Sequence, residues 1–84
     1  MTIASNLIQQ LESLPNGDIG ARVSWVSVLL RLKKKVELVD QFISRVSFED
    51  CEIELSDVYR YTFDDDSSLT LVGESPAKAS AYLD

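Results

Sequence analysis

The chain has 84 residues, of which 45% are apolar and 26% charged, with one cysteine, no histidine and a formal net charge of −6. This is the composition of one small globular domain, and a chain of this size removes only about 60% of its unfolded surface from water, so self-association is an expected aid to stability. With no imidazole there is neither a neutral-pH proton carrier nor a histidine metal ligand, and the lone Cys51 cannot close an internal disulfide. Most familiar catalytic constellations are excluded, and the expectation is a protein that is not an enzyme and holds no cofactor and no metal.

The first arginine is Arg22, so no basic segment precedes an apolar one at the start of the chain. The longest nearly apolar run, from Val23 to Leu30, is far short of the ~20 residues that cross a bilayer as a helix. The expectation is a cytoplasmic protein with no membrane association.

Ala4, Leu7, Leu11 and Leu14 recur at spacings of three and four, with Ile3 and Ile8 widening the stripe. This predicts an amphipathic helix over residues 2–14, capped by Thr2 and ended by Pro15 and the Asn16-Gly17 turn. From Trp25 the apolar residues fall at Trp25, Leu29, Leu32, Val36, Val39, Ile43 and Val46 in alternating steps of four and three. Behind Asp18 as N-cap, that heptad pattern predicts one long helix over residues 19–47, about 43 Å at 1.5 Å per residue. Leu29, Val36 and Ile43 take equivalent seam positions, while Leu38 and Phe42 lie beside the seam and widen the apolar surface. The first helix reaches only half of the second, which leaves Val36, Val39, Phe42, Ile43 and Val46 as a candidate self-association surface in a two-fold dimer.

Past Phe48 the period falls to two. Cys51, Ile53 and Leu55 alternate with glutamates, and Tyr59, Tyr61 and Phe63 alternate with Val58, Arg60 and Thr62. Asp64, Asp65, Asp66, Ser67 and Ser68 form a turn before Leu69 to Val72, so residues 51–72 are expected to be a small antiparallel meander packed on the exposed half of the long helix. Residues 73–84 are expected as a short helix opened by Ser75-Pro76 or as a frayed tail. The fold class expected is therefore α+β in a single domain: an antiparallel helical hairpin with a short first and a long second helix, followed by a β-meander.

Charge is unevenly spread. Residues 1–48 carry six basic and four acidic side chains, net +2, and residues 49–84 carry two basic and ten acidic, net −8. Glu49, Asp50, Glu52, Glu54, Asp57, Asp64, Asp65 and Asp66 form a candidate acidic partner surface. Negative charge of this kind disfavours phosphate backbones and anionic lipids, so no direct nucleic-acid partner is expected. Lys33, Lys34 and Lys35 would fan around a helix without building one basic face. Asp64-Asp65-Asp66 lacks the ligand spacing and turn glycine of a calcium loop. Cys51 sits between Asp50 and Glu52, an anionic setting that raises a thiol's pKa and disfavours a nucleophile.

Two functions remain. One is a small acidic protein-interaction module, an adaptor or regulatory subunit that forms a homodimer through the long helix. The other is an acidic inhibitor, such as an antitoxin, an immunity protein or a phage-type DNA mimic, that blocks a basic site on a nucleic-acid-binding protein or toxin.

Overall fold

The computed structural model describes residues 1–46 and 53–84. Two short helices, α1 (Ile3–Glu12) and α2 (Ile19–Leu32), precede four strands, β1 (Lys33–Val46), β2 (Ile53–Phe63), β3 (Ser68–Gly73) and β4 (Ser80–Leu83). The strands form one antiparallel sheet in chain order.

The long helix expected over residues 19–47 does not exist. Helix α2 stops at Leu32, and Lys33 already has extended geometry at ψ 138°. The chain then enters β1 with no intervening loop and pairs with β2 from Lys33↔Phe63 to Val46↔Ile53. Two physical terms outweigh the heptad pattern. Val36, Val39, Ile43 and Val46 are β-branched and lose little by extending. Strand β2, rich in aromatic and β-branched residues, would otherwise present a bare row of N–H and C=O groups on the side away from β3. The expected fold class is corrected accordingly: the sheet is larger than a meander resting on a helix, and residues 80–83 form its last strand rather than a helix or frayed tail.

Local chemistry sets the helix ends. Thr2 and Ser5 make a reciprocal capping box at the start of α1. Gly17, at φ 79°, supplies the left-handed turn between the helices, and the Asp18 carboxylate accepts from the Ala21 N–H at 3.0 Å to cap α2. Between β2 and β3 the turn closes through Phe63 N–H to the Ser67 carbonyl at 2.9 Å, with Asp66 left-handed at φ 64°. Aspartate tolerates that conformation because its short carboxylate can bond locally.

The core lies between the helices and one face of the sheet. Ala4 and Leu7 from α1, Trp25 and Leu29 from α2, Tyr61 and Phe63 from β2, Leu69 and Leu71 from β3, and Ala79 are all buried. The Trp25 indole Nε1 donates to the Leu7 carbonyl at 2.7 Å and ties the two helices together. Helix α1 lies over β3 and β4. The sheet is thus covered at one end of its strand order, and β1 at the other end has no helix of its own.

Candidate interaction surface

Strand β2 keeps strict alternation, so its odd-numbered residues, from Leu55 to Phe63, share the face that carries the core. Their β1 partners do not alternate. Phe63, Tyr61, Tyr59, Asp57 and Leu55 pair with Lys33, Val36, Leu38, Gln41 and Ile43, because β1 inserts an extra residue at Lys34, Val39 and Ser44. Three bulges spaced five residues apart give β1 an effective period of 2.5, and at that period the strand is amphipathic. The inner face carries Val36, Leu38 and Ile43; the outer face carries Lys35, Glu37, Asp40 and Phe42.

Strand β3 pairs with β2 only over Asp57–Thr62, so Phe42–Val46 and Ile53–Ser56 continue past the sheet as a two-stranded ribbon. No helix among the described residues covers this length. Leu38 is 54% exposed, Ile43 57% and Leu55 48%, whereas Tyr61 on the same face is 4% exposed. Among the described residues, Asp57 is the one charged side chain on the inner face between Val36 and Ile43, and its carboxylate accepts from the Gln41 amide at 2.8 Å across the ribbon. The inner face of the β1–β2 pair is therefore largely apolar, with the hydrogen-bonded Gln41–Asp57 pair at its middle.

The outer face is different in kind. Arg60 lies 3.9 Å from Glu37 and 3.4 Å from Asp84, Lys35 lies 3.7 Å from Glu37, and Ser68 and Thr70 donate to Asp84. Burial pushes the Asp84 carboxyl up, but the hydrogen bonds from Thr70 and Ser68 and the charge of Arg60 outweigh it and hold the group below its ordinary range. These exposed pairs orient side chains on a solvated face and add little stability.

Of the self-association residues expected from the sequence, Val36 and Ile43 share the inner face, Val39 is the inserted residue of a bulge, Phe42 lies on the outer face, and Val46 pairs with Ile53 at the far end of the strand pair. Their expected placement along a helix is corrected; they stand on a strand. Leu38 and Leu55 belong to the apolar face and were missed. The signal that could have found them is the Tyr59-Tyr61-Phe63 strand, which needed an apolar partner with the same facing.

The expected acidic surface is not one surface. Glu49, Asp50 and Glu52 lie outside the described residues, as does Cys51. Glu54 is on the ribbon and Asp57 at its base, and Asp64, Asp65 and Asp66 are in the β2–β3 turn at the opposite end of β2, ten residues and roughly 33 Å from Glu54 at the rise of an extended strand. Asp65 is structural: its carboxylate accepts from the Ile3 N–H at 2.8 Å and from the Ser67 N–H and hydroxyl, which hold its carboxyl below the ordinary range. Lys34 lies 3.9 Å from Asp66, so the basic run meets this turn rather than forming a patch of its own.

A groove of about 240 Å³ lies beside the helix connection, lined by Leu11, Leu14, Ile19, Arg22 and Ala77 among others. Arg22 is committed within the fold. Its guanidinium stacks 5.2 Å over the Trp25 ring and donates from Nη2 to the Ala79 carbonyl, while its buried Nε has no hydrogen-bond partner among the described residues. Desolvation lowers its pKa. Arg22 thus ties α2 to the β3–β4 connection.

No protein-family model matches this chain, and no curated protein or solved structure matches it. No helix among the described residues is long and apolar enough to cross a membrane.

Proposed function

We propose that the chain is a small cytoplasmic protein-interaction module, an adaptor or regulatory subunit without enzymatic activity, that docks through the inner face of the β1–β2 ribbon. The observation that carries this reading is the exposure of Val36, Leu38, Ile43 and Leu55 on one face of the β1–β2 pair, the first two within the sheet and the last two where the pair continues past β3. Single exposed apolar residues are ordinary, but a contiguous patch rimmed by polar groups is typical of a docking surface. The competing reading, an acidic inhibitor of a basic site, draws less support because the described carboxylates fall at opposite ends of β2 and Asp65 is occupied by α1.

A photo-reactive residue placed at Leu38 or Ile43, and as a control at Lys78, tests the docking reading in the native cell. The expected result is one adduct of defined mass from positions 38 and 43 and none from 78. Absence of any discrete ribbon adduct would refute the reading.

A further inference from the structure

We infer that the occupant of the ribbon face is a second copy of this chain, packed face to face about a two-fold axis. The inference rests on the docking reading above and names its partner.

The first argument is area. A monomeric protein of 9.4 kDa exposes about 5,000 Å² when compact, whereas this chain exposes 5710 Å², roughly 700 Å² more. A stable pairwise interface buries about 800 Å² on each partner, so the surplus of the whole molecule is of the size one partner contributes, and the half-exposed Leu38, Ile43 and Leu55 of the inner face are part of it. The shape agrees. The radius of gyration is 14.0 Å against about 12 Å for a compact chain of 84 residues, and the molecule measures 47 × 28 × 17 Å.

The second argument is charge. Two copies at −6 each repel wherever their acidic surfaces meet, which favours association through a face with little charge. The inner face of the β1–β2 pair comes near that condition: between Val36 and Ile43 its one described charged side chain is Asp57, hydrogen-bonded by the Gln41 amide, and its other described residues there are uncharged. A face without a charge pattern also has nothing to select an acidic or basic partner, whereas self-matching needs only that the same apolar patch meet itself.

The geometry further disfavours symmetric pairing through the β1 edge. Edge-to-edge pairing of β1 would need a regular open ladder, and the bulges at Lys34, Val39 and Ser44, together with Lys33, Lys34 and Lys35, interrupt and charge that edge. Packing of the faces uses the side chains instead, as two sheets do about 10 Å apart.

Sedimentation equilibrium from micromolar to millimolar concentration, at low and high salt, tests this. The expected result is a species of twice the 9.4 kDa chain mass that persists at high salt. In Leu38→Asp/Ile43→Asp it becomes a monomer with unchanged circular dichroism and Trp25 fluorescence, while Tyr82→Asp on the outer face leaves it intact. Mixing Leu38→Asp/Ile43→Asp with Leu38→Lys/Ile43→Lys is expected to restore the paired mass, which holds the test independent of either variant's own behaviour. A wild type that stays monomeric throughout overturns the second copy but not the docking reading, whose cross-linked adduct would then differ in mass from a dimer. A pair that dissociates in high salt, or that survives in the folded Asp variant, also overturns it.

Discussion

The carboxylate of Asp65, in the turn between β2 and β3, accepts a hydrogen bond at 2.8 Å from the backbone N–H of Ile3, 62 residues earlier in the chain. The neighbouring Ser67 hydroxyl accepts from the Ala4 N–H at 3.1 Å, so one turn of the sheet satisfies two of the free donors at the start of α1. The hydrogen bonds from Ser67 and Ile3 lower the Asp65 pKa, and Asp84 is lowered as well. A depressed folded-state pKa contributes stability that is present above the unfolded value and lost as pH falls through the folded one. Melting temperature is therefore expected to fall as pH drops below about 4, the ordinary aspartate range, and to fall less steeply in Asp65→Asn, which starts from a lower value at neutral pH. Thermal melts followed by circular dichroism across that range check both signs.

Gly73 closes β3 against the β3–β4 connection. A Cβ built there would sit 2.8 Å from the Cα of Ala79 and 3.1 Å from its Cβ, and the nearest obstacle is backbone rather than a movable side chain. Gly73→Ala is expected to cost about 1–3 kcal/mol, as overpacking does, and to loosen β4 first. Urea titration gives the loss, and amide exchange at Ala81 and Tyr82 locates it.

Phe63 is fully buried where β2 meets the helices. Phe63→Ala is expected to cost about 3–5 kcal/mol. The whole domain holds only about 4–13 kcal/mol at its length, so this variant should be largely unfolded by moderate urea. A variant that melts like the wild type would contradict the core described above.

Leu29 and Ile43 separate the two readings of the middle of the chain. They occupy equivalent positions of the heptad pattern, yet Leu29 is fully buried and Ile43 is 57% exposed. Leu29→Ala is expected to cost about 2–5 kcal/mol, whereas Ile43→Thr should change monomer stability by less than about 1 kcal/mol. Equal losses would contradict the strand assignment of β1. The measurement is made in dilute protein, where association does not contribute.

What the sequence made legible followed from local rules. Thr2, Asp18 and the Asn16-Gly17 turn mark helix ends through short-range hydrogen bonds and positive φ, and Tyr59-Tyr61-Phe63 and Leu69-Leu71 alternate because no bulge interrupts them. The end of α2 was not legible. Bulges at Lys34, Val39 and Ser44 stretch the repeat of β1 from two to 2.5 residues, so Val36, Leu38 and Ile43 share a strand face while Val36, Val39 and Ile43 mimic a helix seam. Only the unpaired edge of β2 decides between these patterns, and that is a long-range constraint. The apolar character of the candidate surface was readable from Val36 and Ile43; its true neighbours, Leu38 and Leu55, were not, because facing depends on the register.

The register of β1 underlies both the docking surface and the two-fold pairing, and nuclear Overhauser contacts in a labelled sample test it most directly. The account predicts cross-strand contacts from Val36 to Tyr61, from Leu38 to Tyr59 and from Ile43 to Leu55. Helical i, i+4 contacts between Val39 and Ile43, with none from Ile43 to Leu55, would contradict it and return residues 33–46 to a helix.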